Sequence, residues 1–418
     1  MNLSTNVTYS LEDEDYDEFR KTGIPITVYL IVLCVLGTIG NVHVFLVYLL
    51  RYKSNIYKTF VLCLAAVDFL GCTFCIPASL YIIRHPNTIQ SLAFCKINRA
   101  ITYFVGAYSL LLLDCIAVER YRKVCQATRA QFTIKITRIV CAINFAFVVI
   151  VIVIPVTIIY GINQKTTKAH SLTGYECTVL ESFKNATLTK IYRGFVFLIF
   201  LALVIVSVVL YILIGKKIYT HKNKTSTSSK QHAMSQLKQN VCKSVSSEDG
   251  ENQTRTSEVE PMNSTKALND KSESAIVTEK CVITTDPRNP EIKRNKSERE
   301  NQTRATTGTE KKYLHTLNER KRKKLDRSRN ITMIFLVVSI LSFGGYLPYL
   351  ITTLIRNISR STFENFAENY ETLDIFIRWM IFLNNAINPL VYGFMDKKFR
   401  SELQTCYVRM ARCSSPWS

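Results

Sequence analysis

Residues 97–123 read INRAITYFVGAYSLLLLDCIAVERYRK. From Ile97 to Val118 the stretch is predominantly apolar and uncharged apart from Arg99 and Asp114, and it ends on the charged run Glu119-Arg120-Tyr121-Arg122-Lys123. About 20 apolar residues in helical form cross ~30 Å of hydrocarbon, so this stretch predicts a membrane-spanning helix that stops where charge resumes. Six further stretches of the same kind flank it: about Ile24 to Leu50, Thr59 to Ile83, Ile139 to Tyr160, Ile191 to Ile214, Ile331 to Ile355 and Leu373 to Tyr392. A transmembrane β-barrel would show short alternating segments instead. The fold class is an all-α membrane protein, a seven-transmembrane helix bundle.

The composition agrees. The 418 residues would suffice for about two or three soluble domains. Yet 48% are hydrophobic and the mean hydropathy is +0.09, although Lys+Arg 53 outnumber Asp+Glu 32. A soluble chain this basic does not average out apolar, which excludes a soluble enzyme, a collagenous or disordered chain and a small disulfide scaffold. No nucleophile–base set or metal-ligand cluster marks an enzyme.

Basic residues set the orientation. Arg51, Lys53 and Lys58 follow the first span, Arg120, Arg122, Lys123, Arg129, Lys135 and Arg138 the third, and Lys397, Lys398 and Arg400 the seventh. The N-terminus instead carries Glu12-Asp13-Glu14-Asp15-Tyr16-Asp17-Glu18. The N-terminus is therefore expected outside and the C-terminus in the cytosol. No basic and apolar leader precedes the first span, so that span is expected to direct insertion. Residues 1–23 form an extracellular acidic tail, 24–215 the first five spans, 216–329 a long cytoplasmic loop, 330–393 the last two spans, and 394–418 a short amphipathic helix and cytoplasmic tail. Asn2, Asn6, Asn185 and Asn357 begin sequons on the outer side, where glycans are added. Cys95 and Cys177 also lie outside, in an oxidising compartment, and are expected to form a disulfide between the third span and the second outer loop.

The segment 216–329 is rich in Ser, Thr, Lys and Glu and has no sustained apolar period, so disorder is expected. It holds 26 Lys+Arg against 15 Asp+Glu, about half of the net charge of +21. Under an anionic leaflet such a tract is attracted to membrane lipids rather than to nucleic acid. Its Ser and Thr residues offer phosphorylation sites to kinases and a surface for arrestin. Cys406 and Cys413 are palmitoylation candidates by position.

Polar residues inside the spans need reasons. Asp68 lies mid-span, at a depth where Asn41, Ser109, Asn384 and Asn388 converge on it. One carboxylate with neutral oxygen donors suits a small cation such as sodium; a water-filled network without an ion, or a protonated Asp68, suits the residues equally. Pro389 in Asn388-Pro389-Leu390-Val391-Tyr392 removes a backbone hydrogen bond and loosens the helix there. Glu119 beside Arg120 reads as a salt bridge holding the inner face shut or as an interfacial anchor. Asp114 has no partner legible from the sequence.

Together these residues resemble the rhodopsin-like (class A) family of G-protein-coupled receptors. The resemblance rests on Gly40-Asn41, on Leu64-Ala65-x-x-Asp68, on Cys95 heading the third span and Glu119-Arg120-Tyr121 closing it, on Pro348, on Asn384-x-x-x-Asn388-Pro389-x-x-Tyr392, and on the amphipathic Phe394-Met395-Asp396-Lys397-Lys398-Phe399. It implies a receptor whose ligand favours a state with the inner ends of spans five and six open, with Arg120, Tyr392 and Tyr211 stabilising that state. It also implies coupling to a heterotrimeric G protein and no cofactor beyond an allosteric sodium ion at Asp68. The departures are Phe145 or a neighbour where the family has a span-four tryptophan, Leu203 in place of the span-five proline, and Ser342 and Tyr346 in place of the span-six phenylalanine and tryptophan.

Retinal sensing in that family needs a lysine in span seven, and Arg378 to Leu390 holds none. Amine recognition needs an aspartate where this chain has Thr102-Tyr103. The outer third offers Arg99, Arg193 and Arg378 instead, which can pair an anionic group or else neutralise outer-loop acids such as Asp374 and Glu181. Thr102, Tyr103, Tyr346, Arg99, Arg193 and Arg378 are the pocket candidates. The acidic tail, with Tyr16 a sulfation candidate, raises the local concentration of cationic ligands or is simply solvated. A peptide satisfies both ends of this charge pattern. The alternatives are an anionic small molecule or lipid, or a non-signalling scavenger or co-receptor. A transporter or channel would show repeats or broken helices, which the sequence does not suggest.

Overall fold

The computed structural model describes residues 9–167, 170–184, 186–248, 290–359, 363, 366–367 and 369–413. It divides into two compact units, Met1–Thr220 with Asp326–Ser418, and His221–Leu325. Six helices among the described residues are long and apolar enough to cross a membrane, from Leu11–Arg51 to Leu325–Arg356.

The first crossing is α2 (Ile24–Arg51), entered from α1 (Leu11–Glu18) through a wide turn at Phe19–Gly23. The second comprises α3 (Ile56–Leu70) and α4 (Ile76–Arg84), the third is α5 (Leu92–Cys125), and the fourth comprises α6 (Ile134–Val148) and α7 (Ile154–Ile159). The π-turns Gly71–Cys75 and Val149–Val153 each immediately precede a helix carrying a proline in its first turn, Pro77 and Pro155. A proline supplies no N–H to the carbonyl four residues back and its ring crowds that carbonyl, so the preceding turn widens. The carbonyl of Val151, four residues before Pro155, accepts the Tyr192 hydroxyl at 3.2 Å.

Beyond α7, β1 (Tyr160–Thr166) and β2 (Thr173–Val179) form an antiparallel hairpin with Ile162 opposite Cys177, followed by α8 (Glu181–Lys184). The fifth crossing belongs to α9 (Thr187–Glu248) and the sixth to α10 (Pro290–Ile358), which contains Pro348. The seventh is interrupted: α11 (Glu371–Trp379), a 3₁₀ turn at Met380–Phe382, then α12 (Leu383–Met395). Its pieces together have the length of the other crossings. The amphipathic α13 (Lys397–Cys413) follows.

The structure departs from the sequence reading at 216–329. Helix continues through Glu248 and resumes at Pro290, while residues 249–289 lie outside the described residues. Neither glycine nor proline interrupts 216–248, and Pro290 occupies the first helical position, where its fixed φ suits a helix start.

The acidic tail is also not a free strand over its described part. Ser10 caps α1 in a capping box with Asp13. Asp15, 1% exposed, accepts from the Asn87 N–H at 2.9 Å and the Thr88 hydroxyl at 2.6 Å. Glu14, also buried, accepts from Thr167 at 2.7 Å, and its Oε2 lies 3.8 Å from His170 Nδ1. Tyr16 is exposed and lies beneath the guanidiniums of Arg20 and Arg84. The acids that suggest solvation in the sequence instead fasten α1 to the first outer loop and the hairpin.

Close backbone approach fixes the packing of α2. A Cβ on Gly40 would lie 2.6 Å from Pro389 Cβ, so the first and seventh crossings meet where a larger residue would separate them. At the inner end the Tyr48 and Tyr57 hydroxyls, 2.7 Å apart, both reach Asp396. Arg51 bonds Glu402 at 3.0 Å, holding α13 against α2.

Candidate functional site

At the outer end of α5, Cys95 is joined to Cys177 by a disulfide, with Cα atoms 5.5 Å apart. This bond lays the hairpin across the bundle. Below it lies a cavity of about 560 Å³ lined by spans two to seven, the hairpin and Glu18 of α1, a size typical of small-ligand sites. Arg99, Thr102, Tyr103, Tyr346 and Arg378 line it. Arg193 does not: it is half-buried near Tyr160, outside the lining. Its helix carries Val196, Ile199, Phe200 and Leu203 to the cavity, and Arg193 lies a turn further out than Val196.

Several cavity residues escaped the sequence reading. Arg356 sits one residue past the predicted end of span six and looks there like a flanking charge. Tyr160 and Tyr349 look like interfacial aromatics. Glu18, Lys165 and Glu176 belong to segments whose approach no helical period predicts. The Tyr103 hydroxyl lies 2.8 Å from that of Tyr160 and 3.5 Å from that of Tyr349. Arg99 donates to the Cys177 carbonyl at 2.9 Å and stands 5.3 Å over the Tyr160 ring. Arg378 pairs with the buried Asp374, and Lys165 lies 3.9 Å from Glu176.

Midway through the bundle, Asp68 is fully buried and accepts from Ser109 at 3.2 Å and Asn388 at 2.6 Å. Asn41 does not join it. Its amide donates to the carbonyls of Gly37 at 2.9 Å and Asn385 at 2.8 Å. The Asn385 carbonyl lies four residues before Pro389, so the proline leaves it without its helical N–H and Asn41 supplies one. Asn384 bonds Asn385 at 3.5 Å rather than Asp68. The side-chain oxygens of Asn384 and Asn388 are buried with no hydrogen-bond partner among the described residues. Asp114, whose partner the sequence left open, accepts from Ser207 of α9.

At the inner end of α5, Glu119 and Arg120 form an ion pair, with Arg120 1% exposed. Tyr211 lies 3.2 Å from Ser339 of α10 and packs with Ala117, Ile214 and Tyr121. Tyr392 is buried, its hydroxyl unpartnered, near the rings of Tyr48 and Phe335. Among the other sequence candidates, Asn2, Asn6 and Asn185 lie outside the described residues, as do the side chains of Asn357 and Cys413. Cys406 is half-buried with a free thiol. Phe145 stands edge-on to Phe104 at 5.2 Å, and Ser342 is buried with no hydroxyl partner.

The family model of seven-transmembrane receptors of the rhodopsin family matches residues 40–392. The chain belongs to this family. It is a multi-pass membrane protein. A thyrotropin-releasing hormone receptor from Gallus gallus is 29% identical over 136 residues, 32% of this chain and 31% of that receptor. A neuropeptide FF receptor 2 from Rattus norvegicus is 27% identical over 238 residues, 53% of this chain and 55% of the receptor. A 5-hydroxytryptamine receptor 1F from Mus musculus is 23% identical over 385 residues, 91% of each. The chain thus matches about a third of the thyrotropin-releasing hormone receptor's length.

Proposed function

We propose that this chain is a plasma-membrane receptor, N-terminus outside, that binds an extracellular peptide in its outer cavity and activates a heterotrimeric G protein at its inner face. The observation that carries this reading is the pairing of two sites on one helix: the cavity beneath the Cys95–Cys177 bond and the buried Glu119–Arg120 pair at the opposite end of α5. The relatives named for a hormone and a neuropeptide support a peptide ligand. The relative named for 5-hydroxytryptamine does not outweigh them, because Thr102 and Tyr103 stand where amine recognition in this family needs a carboxylate.

Ligand binding shifts the population toward a state in which Glu119 releases Arg120 and the inner ends of spans five and six separate. The Tyr211–Ser339 contact joins those two spans and breaks in that step, freeing Tyr211 to join Arg120 and Tyr392. Asp68 biases the closed state. The side-chain oxygens of Asn388 and Ser109 beside it, with that of Asn384 one turn from Asn388, suit a sodium ion, whose charge would offset that of the Asp68 carboxylate. Kinases and arrestin would act on the Ser and Thr of the third cytoplasmic loop, and anionic lipids on its lysines and arginines.

The test is G-protein dissociation in cells expressing the chain, challenged with tissue extract before and after protease digestion. A protease-sensitive response is expected. A response that survives digestion points to a small molecule or lipid, and silence at confirmed surface expression points to a scavenger.

A further inference from the structure

Resting on the peptide reading above, we infer that the cavity holds a carboxylate of the ligand between Arg99 and Arg356, backed by the hydroxyls of Tyr103, Tyr160 and Tyr349. The charges lining the cavity sort into paired and unpaired groups. Arg378 is matched by Asp374, and Lys165 by Glu176. The Glu18 carboxylate accepts from the Asn87 amide. Arg99 and Arg356 form no ion pair with a carboxylate among the described residues. One Arg99 nitrogen donates to a backbone carbonyl while its Nε is buried with no acceptor. Arg356 lies over the Phe363 ring at 4.1 Å and makes no hydrogen bond to another described residue, so its guanidinium has N–H donors to offer a ligand.

The hydroxyls add to the surplus of donors. Three phenols share two contacts, Tyr103 with Tyr160 and Tyr103 with Tyr349. Each contact uses one proton, so one of the three O–H groups remains to donate. A guanidinium fork and a spare hydroxyl form charge-assisted bonds with an acceptor-only group, and a carboxylate is that group on a peptide. It is supplied by a free C-terminus or by an Asp or Glu side chain, and both offer the same two oxygens.

The experiment uses the full chain in cells and four pools of synthetic octapeptides: C-terminal acids or amides, each with or without Asp and Glu. G-protein dissociation is read against surface expression. The wild-type chain is expected to respond to one or more of the three carboxylate-bearing pools and not to the amidated pool lacking Asp and Glu. A response to the acid pool without Asp and Glu assigns the C-terminus; a response to the amidated pool with them assigns a side chain. Arg356→Gln should lower potency at least tenfold, with partial recovery in Arg356→Lys. Arg99→Gln should do the same where it reaches the surface, and Arg193→Gln should not. An equal response to the amidated pool lacking acids, or unchanged potency in Arg356→Gln, overturns the inference and leaves the peptide reading standing. Silence of all four pools at normal surface expression overturns both.

Discussion

The two ends of α5 are held by different kinds of contact. Its outer end is built from distant parts of the chain: the Cys95–Cys177 bond spans a separation of 82 residues, and Asp15 of α1 reaches Asn87 and Thr88. Its inner end is closed by neighbours, Glu119 and Arg120, with Lys123 one turn on at 3.9 Å from Glu119. Non-local contacts pre-form a site, because their loop-closure cost is met on folding and not on ligand binding. A local ion pair can be exchanged without moving the rest of the fold. On the reading proposed above, recognition belongs to the rigid end and switching to the replaceable one.

The contrast breaks first at the disulfide. Cys95→Ala removes a cross-link worth about 4–5 kcal/mol in the chain-entropy account. Surface labelling with antibody should fall severely, and normal expression with normal ligand potency would show that the outer end does not depend on distant contacts. Glu119→Gln loses a charge-assisted bond worth about 2–3 kcal/mol. Ligand-independent G-protein dissociation should rise by tenfold or more at matched expression; an unchanged basal signal would mean that this pair does not hold the inner face.

Asp15→Asn weakens two hydrogen bonds to a buried carboxylate, about 1.5–2 kcal/mol. Hydrogen exchange in residues 11–18 should accelerate, and ligand potency should drop about tenfold if α1 belongs to the site. Faster exchange with unchanged potency would reduce α1 to a structural cap. Tyr192→Phe leaves the Val151 carbonyl unmatched at about 1 kcal/mol, with a small fall in thermal stability and no change in basal signalling. The smallest effect is at Tyr9, whose bond to Asp17 pushes its phenol up to about 12. A folded-state pKa above the ordinary value means that this contact stabilises the fold at neutral pH and is lost as pH rises from 10 toward 12. The difference ultraviolet titration of wild type minus Tyr9→Phe should have its midpoint there, and a midpoint near 10 would mean that the contact does not form.

The crossings and the inner motif were legible because each depends on local pattern: about 20 apolar residues, a charged stop, a proline. What escaped depended on partners from elsewhere in the chain. Asn41 looks like an Asp68 neighbour by depth, but its partner is a backbone carbonyl exposed by Pro389, which no side-chain pattern shows. Asp114 found Ser207 only once α5 and α9 were packed. The acids of α1 read as solvated because burial of Asp15 requires backbone donors from Asn87, 72 residues away. Arg356 escaped notice because it falls one residue beyond the expected end of the sixth span, where a membrane boundary and a cavity wall meet.

Separation of recognition from switching is tested most directly on Arg120→Ala at matched surface expression, with agonist binding and G-protein dissociation measured on the same cells. Agonist affinity within about threefold of wild type, together with abolished dissociation, is the predicted result. Persistent G-protein dissociation in that variant would contradict the account.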